Sequence, residues 1–305
     1  MVLTARESAI DSGDAERSYK EGVIHCFEAT GPDYRYWSRD LHMHFGLWRR
    51  WINPFDREAL LEATCHFVFD HFGQRETSSF TALDAGCGVG ATLKLARERF
   101  PNATLHGITL LRTQAELARE KLAGLSVSVA PDDFEGSRFA SESFDVVFSI
   151  EAAVYAGGGA KTRYLEEMYR ILKPGGALIV LDGYLTKPAR SMNSISMWIY
   201  NRVREGWWIE EMIDQRSFMS AASATGFVPE RFRSLFLAVA PSAAHVPWVT
   251  LRYIWDWIAR SNARSKDSVR HVVACACGCL LGLHRHRFTY GVAVLRKPSL
   301  GARLS

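Results

Sequence analysis

The chain has 305 residues, of which 48% are hydrophobic and 23% are charged, so it is long enough to bury a sizeable core and has an ordinary globular composition. Its formal net charge of +4 is spread along the sequence, and no long block of lysine or arginine indicates a nucleic-acid-binding protein. An anionic small substrate would be compatible with this mild positive balance, but the composition does not require one.

No segment of the sequence predicts export or membrane insertion. The first 24 residues carry charges throughout and lack the apolar centre of a signal peptide. The longest apolar stretch, residues 272–283, is well short of the roughly 20 residues that a membrane-spanning helix needs. We therefore expect a cytoplasmic protein without a membrane span.

The N-terminal 75 residues are predicted to form a helical cap that is rich in aromatic side chains. Residues 33–51 read DYRYWSRDLHMHFGLWRRW, and a helix should follow from about Asp56 to Phe72. His42 and His44 alternate, so an extended backbone would point both in the same direction, which suits metal binding. Since no third ligand is apparent, we predict no metal. We interpret one of these histidines as hydrogen-bonded to substrate or cofactor, or as a structural residue.

Residues 76–186 alternate short apolar strands with helices, which predicts a parallel sheet covered on both faces. The predicted strands are residues 80–86, 103–109, 125–129, 143–150 and 176–185. The predicted helices are residues 91–100, 113–124 and 162–173, the last ended by Pro174 and Gly175.

The alternation of strands and helices ends after this core. A helical insertion rich in aromatics is predicted for residues 187–213, followed by the rest of the core in residues 214–298 and a tail in residues 299–305. The second part of the core should contain a helix that ends at Gly226, strands at residues 229–237 and 289–297, and a helical insertion at residues 242–287. Cysteines in this second insertion form a C-x-C-x-C pattern. We interpret them as packing residues because zinc ligands are usually spaced C-x2-C; they are Cys275, Cys277 and Cys279.

The predicted fold class is therefore α/β: a Rossmann-like, doubly wound sheet of about seven strands, mostly parallel with an antiparallel last strand, plus a helical aromatic cap. Open parallel sheets bind ligands beyond the carboxyl ends of their strands. We expect the cap and the two insertions to lie over that edge.

The first predicted strand ends in a glycine-rich turn, D-x-G-x-G-x-G, formed by Asp84, Gly86, Gly88 and Gly90. Glycines let the backbone turn tightly and approach a ligand, and Gly86, Gly88 and Ala91 also fit a dinucleotide fingerprint. Two features oppose a dinucleotide. Asp84 would repel a pyrophosphate but attract the cationic aminoacyl group of S-adenosylmethionine. The second strand also lacks the acid that binds the ribose of a dinucleotide about 20 residues further on.

Residues 80–185 resemble the class I S-adenosylmethionine-dependent methyltransferases. LDAGCGVG resembles the first motif of that family, DDFEGSRFASESFDVVFSIEA resembles the loop and strand that hold the adenine, and RILKPGGALIVLD resembles the fifth-strand motif. The resemblance implies S-adenosylmethionine as cofactor and S-adenosylhomocysteine as product. It also implies that Asp133, or its neighbour Asp132, contacts the adenine and that Phe134 lies against the ring.

The stretch GITLLRTQAELA, which starts at Gly107, resembles the carbon-methylating branch of this family. That branch includes cyclopropane fatty acid synthases, sterol C-methyltransferases and geranyl diphosphate C-methyltransferase. In it a Thr-Leu pair and a Gln serve the ribose and methionine parts of the cofactor, and here they correspond to Thr109, Leu110 and Gln114. Leu111 is a departure, because these proteins usually have Ser at that position.

Two shorter stretches resemble the same branch. In SIEAAVY, Glu151 and Tyr155 match a Glu that is followed four residues later by a Tyr. PWVTLR resembles a W-x-L-R stretch, which makes Arg252 either a ligand for a substrate diphosphate or an arginine on a helix surface. Arg285 and Arg287 are further candidates for binding an anion.

The resemblance predicts methyl transfer to an alkene carbon of an isoprenoid, such as a prenyl diphosphate, by way of a carbocation on the acceptor. Aromatic faces would stabilise the cation and a base would then remove a proton. The candidate catalytic residues are Glu151, Tyr155 and His44. The candidate substrate-binding residues are Tyr36, Phe45, Trp48, Trp208 and Arg252.

Other functions stay open at this point. An O- or N-methyltransferase of a natural product would use His42 or His44 as its base. A nicotinamide-dependent oxidoreductase would use the same glycines, and a binding protein would keep the pocket without the chemistry. The sequence does not identify the acceptor or the oligomeric state, although the N-terminus and the cysteine-rich helix could form contacts in a homo-oligomer.

Overall fold

The computed structural model describes residues 2–260, 266–284 and 286–299, and its centre is a seven-stranded sheet in the order β3-β2-β1-β4-β5-β7-β6. β7 is antiparallel to both of its neighbours, whereas the remaining pairs are parallel. This topology confirms the predicted Rossmann-like sheet with an antiparallel last strand. The strands are β1 (Thr81–Ala85), β2 (Thr104–Thr109), β3 (Val127–Pro131), β4 (Phe144–Ile150), β5 (Leu172–Leu185), β6 (Val228–Ser234) and β7 (Phe288–Arg296).

Helices cover both faces of the sheet, as its continuously apolar strands require. Consecutive side chains of a strand point to opposite faces, so Ala82 of β1 belongs to one buried cluster and Leu83 to the other. The first cluster includes side chains of α2, α3 and α4, and the second includes side chains of α5 and α7. The helices of the described residues are α1 (Val2–Thr30), α2 (Arg57–Phe69), α3 (Ala91–Arg99), α4 (Arg112–Lys121), α5 (Thr162–Ile171), α6 (Ser194–Trp207), α7 (Gln215–Thr225), α8 (Phe236–Ala243), α9 (Val246–Arg260) and α10 (Lys266–Leu283).

Several boundaries differ from the prediction; α5, for example, ends at Ile171, before the predicted stop at Pro174 and Gly175. β6 ends at Ser234 rather than at residue 237, and α8 already begins at Phe236. A short apolar run does not distinguish the end of a strand from the first turn of a helix; in the structure Leu235 is buried whereas Leu237 is exposed. β5 begins at Leu172, with an irregular register against β4, and β3 lies two residues later than predicted.

The cap of the described residues comprises α1, the segment 31–55, α6 and α8–α10. Its helices α6 and α10 pack closely at glycines: a Cβ atom on Gly278 would lie 2.7 Å from the Trp207 ring. All six cysteines are free, and Cys277 is buried in the cluster that joins α6 and α10. Among the described helices, none combines the length and apolar character needed to cross a membrane.

Candidate active site

A cavity of about 770 Å³ lies beyond the carboxyl ends of β1, β2, β4 and β5, between the sheet and the cap. This volume is within the roughly 300–1,000 Å³ that is usual for small-molecule sites. The sheet side of the cavity is formed by the turns after the strands. The cap side is formed by α1, residues 33–45 and α8–α10.

The predicted glycines do two different things. Gly86 and Gly88 line the cavity and have positive φ angles of 110° and 51°. A Cβ atom on Gly86 would lie 2.3 Å from the Cβ of Ala152, so only glycine fits there. Gly90 also has a positive φ, but it is not part of the cavity lining, and its space is taken by Leu122 at the C-terminal end of α4. It therefore serves helix packing rather than ligand contact.

Asp84 places a carboxylate in the cavity where β1 ends. Only 3% of the residue is exposed, and burial raises the pKa of the carboxyl group to about 8. The carboxylate receives no hydrogen bond from the described residues. Because a buried carboxylate without a partner is unfavourable, this position would be stabilised by a cationic group of a ligand.

The residues after β2 form the next part of the cavity wall. The Thr109 hydroxyl donates a hydrogen bond to Gln114 Oε1 at 2.6 Å, and Leu110 lines the cavity beside them. Gln114 Nε2 lies 3.7 Å from Met43 Sδ, which brings the N-terminal segment over the glycine turn. Met43 was not predicted as a site residue, because its contact crosses 71 residues of sequence.

The loop after β3 is held by α1. Lys20 Nζ lies 2.6 Å from Asp133 Oδ2 and 3.1 Å from Glu135 Oε2. The second oxygen of Asp133 accepts the backbone N–H of Glu135, and Asp132 accepts the backbone N–H of Asp133. Phe134 lies in the cavity wall. Both predicted adenine-contacting residues thus line the cavity, with Asp133 already ion-paired to the cap.

Glu151, the residue after β4, connects the sheet to the cap. Its Oε1 atom accepts hydrogen bonds from the backbone N–H of Phe45 at 2.6 Å and from the Tyr290 hydroxyl at 2.7 Å. Its Oε2 atom receives none from the described residues and is free to act on a ligand. Burial raises the pKa of Glu151 to about 8, although both hydrogen bonds act in the opposite direction. Its φ of 50° is strained for a residue with a side chain, a feature found at functional sites.

The short turn that carries Tyr155 is fixed by two buried charged residues that were not predicted. Asp182, near the end of β5, accepts the backbone N–H of Val154, and burial raises its pKa to about 7. Lys161 donates to the carbonyl groups of Val154 and Ala156, and burial lowers its pKa to about 8. Asp182 follows the apolar run of the fifth strand, so its position at the carboxyl edge was the signal that could have identified it.

His44 is placed at the cavity but is not available as a base. Its Nδ1 atom lies 3.0 Å from the carbonyl oxygen of Phe45 and its Nε2 atom lies 3.1 Å from His42 Nδ1, so both ring nitrogens are engaged. Burial lowers the pKa of His42 to about 3 and that of His44 to about 4, which keeps both rings neutral. The structure also brings Cys65 of α2 within 3.6 Å of His44 Nε2. The sequence offered no sign of this third residue.

The predicted substrate-binding residues divide into two groups. Tyr36 and Phe45 line the cavity. Trp48 is 39% exposed and donates its indole N–H to Ile52, and the Trp208 ring packs against Gly22 of α1. Neither tryptophan lines the cavity: Trp48 is partly exposed on the cap, and Trp208 packs against α1.

The predicted anion ligands are not part of the cavity wall. Arg252 is exposed on α9, whose inward side presents Tyr253 to the cavity instead. Arg287 donates to Ser191, away from the cavity lining. Arg285 lies outside the described residues.

Carboxyl groups outnumber basic side chains in the cavity lining. Of the described residues that line it, seven carry carboxyl groups, whereas Lys20 is the single lysine and no arginine is present. The walls contributed by α8, α9 and α10 are mostly apolar. The seven acidic residues are Asp33, Asp84, Asp132, Asp133, Glu135, Glu151 and Asp182.

Residues 82–176 match a protein family described as a methyltransferase domain. Across a longer region the chain is 31% identical to the sterol 24-C-methyltransferase of Yarrowia lipolytica, covering 84% of this chain and 65% of that protein. The chain spans about half to two thirds of the length of the curated relatives that it matches.

Solved structures share the fold at low sequence identity. A cyclopropane synthase from Mycobacterium tuberculosis has a TM-score of 0.76 at 17% identity, with 91% of this chain and 98% of that chain covered. Geranyl diphosphate C-methyltransferase from Streptomyces coelicolor has a TM-score of 0.65 at 17% identity, with 92% and 97% covered.

Proposed function

We propose that this chain, whose residues 82–176 match a methyltransferase domain, is an S-adenosylmethionine-dependent enzyme that methylates a carbon atom of a neutral, unsaturated isoprenoid-type lipid. The observation that carries the proposal is the buried Asp84 carboxylate, which has no partner among the described residues and lies beside the glycine turn. A cationic cofactor supplies the missing partner. A nicotinamide dinucleotide would instead bring its pyrophosphate toward this carboxylate.

The residues of the sheet side fit S-adenosylmethionine. Asp84 would bind its cationic aminoacyl end, and the turn at Gly86 and Gly88 would let it approach the backbone. Thr109 and Gln114 would hold its polar groups. Phe134 would lie against its adenine, with Leu110 beside it and Asp133 at the rim. The bound cofactor supplies a methyl group on a sulfonium, so the reaction needs no acid to activate the leaving group.

Glu151 is the proposed base. The electron pair of an alkene would form the new carbon–carbon bond as the bond between sulfur and the methyl group breaks and leaves its electrons on sulfur. The neighbouring carbon of the acceptor would then be electron-deficient. Loss of a proton from an adjacent carbon restores neutrality, because the C–H electrons become a new double bond. The free Oε2 atom of Glu151 would accept that proton. The rings of Phe45 and Tyr155, both in the cavity wall, would stabilise the cation before it is lost.

The charge of the cavity favours a neutral acceptor over a diphosphate. Among the described residues that line the cavity, the single lysine is already ion-paired and no arginine is present, so the lining offers no basic cluster to bind a diphosphate. The apolar walls of α8–α10 suit a hydrophobic acceptor such as a sterol or a prenyl lipid. The sterol C-methyltransferase name of a relative agrees with that class.

Two measurements test this function. Calorimetry should show binding of S-adenosylmethionine and S-adenosylhomocysteine but not of NAD; the reverse result would refute the cofactor. Labelled cofactor should then transfer its methyl group to neutral sterols or prenyl alcohols. Transfer to prenyl diphosphates alone, in the presence of Mg²⁺, would refute the substrate class while keeping the chemistry. Transfer only to hydroxyl or amine acceptors would establish the O- or N-methyltransferase alternative.

A further inference from the structure

The side chains of His42, His44 and Cys65 form a buried cluster on the side of the N-terminal segment that faces α2. Each residue offers one nitrogen or sulfur atom, and all three residues are buried. His42 and His44 come from the extended segment over the glycine turn, whereas Cys65 comes from the middle of α2. Neither the cofactor site nor the proposed proton transfer uses the sulfur atom.

The three atoms are spaced as the ligands of one metal ion are. His42 Nδ1 and His44 Nε2 lie 3.1 Å apart, and Cys65 Sγ lies 3.6 Å from His44 Nε2 and 4.0 Å from His42 Nδ1. A triangle with these sides has a circumradius of about 2.1 Å, close to zinc–nitrogen distances of about 2.0–2.1 Å and a zinc–sulfur distance of about 2.3 Å. An ion could therefore bind all three atoms with little movement of the backbone.

The orientation of the two rings agrees with this spacing. If the two nitrogens pointed straight at each other, the ring centroids would be separated by the 3.1 Å between the nitrogens plus the radius of each ring. The observed separation of 4.9 Å is shorter than that sum, so the contact is not linear. A linear hydrogen bond would place the rings farther apart.

The surroundings of the cluster suit a metal ligand set. His44 Nδ1 lies 3.0 Å from the Phe45 carbonyl oxygen, so the ring donates its proton there and presents Nε2 as an acceptor.

We propose that His42, His44 and Cys65 bind one zinc ion, which links the N-terminal segment to α2 and so fixes the Phe45 N–H on Glu151. On binding, the thiol of Cys65 releases its proton to solvent, and His42 carries its proton on Nε2 so that Nδ1 becomes a ligand. The hydroxyl of Thr92, 3.6 Å from Cys65 Sγ, or a water molecule would complete the coordination.

Metal analysis of the purified full chain tests the proposal directly. We expect about one zinc ion per chain, retained on dialysis, and a thiolate-to-metal charge-transfer band when cobalt(II) replaces zinc. Cys65→Ser and His42→Gln should lower zinc affinity at least tenfold and abolish the band. Cys277→Ser and His106→Gln, which change a cysteine and a histidine outside the cluster, should leave both unchanged.

A measurement on the unmodified protein covers the case in which the Cys65 and His42 variants do not fold. Zinc should raise the thermal unfolding temperature of chelator-treated protein, whereas Mg²⁺ should not. No bound zinc, no cobalt band and no thermal shift would overturn the proposal. These readouts do not depend on methyl transfer, so failure of the zinc site leaves the proposed function standing, and failure of the proposed function leaves the zinc site standing.

Discussion

The two sides of the cavity are built in different ways. On the sheet side, the turn after β1 and the loops after β2 and β3 come from about 50 consecutive residues, and much of their shape is backbone geometry. On the cap side, side chains from the N-terminal segment and from α9 meet across more than 200 residues of sequence, as the Tyr36 hydrogen bond to Asp256 illustrates. The comparison indicates that cofactor binding depends on local backbone, whereas acceptor binding depends on distant packing.

Glu151 lies where these two sides meet, and its replacement should have the largest effect. Glu151→Gln keeps an oxygen that can accept the Phe45 N–H and the Tyr290 hydroxyl but removes the basic site. We expect kcat to fall by about 10² to 10⁴, with S-adenosylmethionine affinity unchanged, because one proton transfer is lost. Turnover with labelled cofactor and calorimetry measure the two quantities.

The matched control for that substitution is Glu116→Gln on the exposed surface of α4, which should leave turnover unaltered. Normal turnover of Glu151→Gln would contradict its role as base. It would also favour an acceptor that needs no such base. The chemistry would then not depend on the residue that joins the sheet side of the cavity to the cap side.

Asp84→Asn should have the next largest effect and should act on the sheet side alone. Without the negative charge, S-adenosylmethionine should bind about 100-fold more weakly, a difference of about 2.7 kcal/mol. The stability of the protein should change in the opposite direction and increase in this variant. The pKa of Asp84 is raised to about 8 in the folded state, so the carboxyl group binds its proton more tightly there than in the unfolded chain. The parent protein therefore loses stability as pH rises from about 4 to 8.

Calorimetry and chemical unfolding at pH 6 and pH 8 measure both consequences of the Asp84 change. The Asp84→Asn substitution should make the stability of the protein less dependent on pH. At pH 8 the variant should be more stable than the parent chain. Equal cofactor affinity of the two proteins would remove the main support for a cationic ligand at this turn.

Tyr290→Phe should have a smaller effect that depends on pH. The Tyr290 hydroxyl lowers the pKa of Glu151, and its removal should therefore raise that pKa above the present value of about 8. Since a base must be deprotonated, activity of the parent chain should rise through about pH 8, and the variant profile should move to higher pH.

The pH profile of kcat/KM measures the Tyr290 effect. We expect a loss of a few-fold at pH 7 and near-parent activity at about pH 9 to 10. A loss that is equal at all pH values would indicate that the hydroxyl contributes packing or substrate contact rather than tuning of Glu151.

The same contrast between the two sides explains which features could be read from the sequence. The strands and the glycine turn were predictable, because alternating apolar segments and a D-x-G-x-G-x-G turn have local causes. The contact of Cys65 with His42 and His44, and that of Tyr290 with Glu151, join residues at least 21 apart and leave no pattern in the sequence. Arg252 was left as either an anion ligand or an arginine on a helix surface, because its local motif does not fix the orientation of α9; its exposed position agrees with the second alternative.

Gly90→Ala should have the smallest effect on function and should separate two uses of glycine within one turn. At Gly90 the φ of 82° and a new Cβ atom 2.7 Å from Leu122 Cδ1 should together cost about 1–3 kcal/mol of stability, with cofactor affinity nearly unchanged. At Gly88 the new Cβ atom would meet only Met43 Sδ at 3.7 Å, so Gly88→Ala should lose less stability but weaken binding, because the atom enters the cavity. Thermal unfolding and calorimetry on both variants make the comparison. If Gly90→Ala weakened the cofactor more than Gly88→Ala, the assignment of Gly90 to helix packing would be wrong.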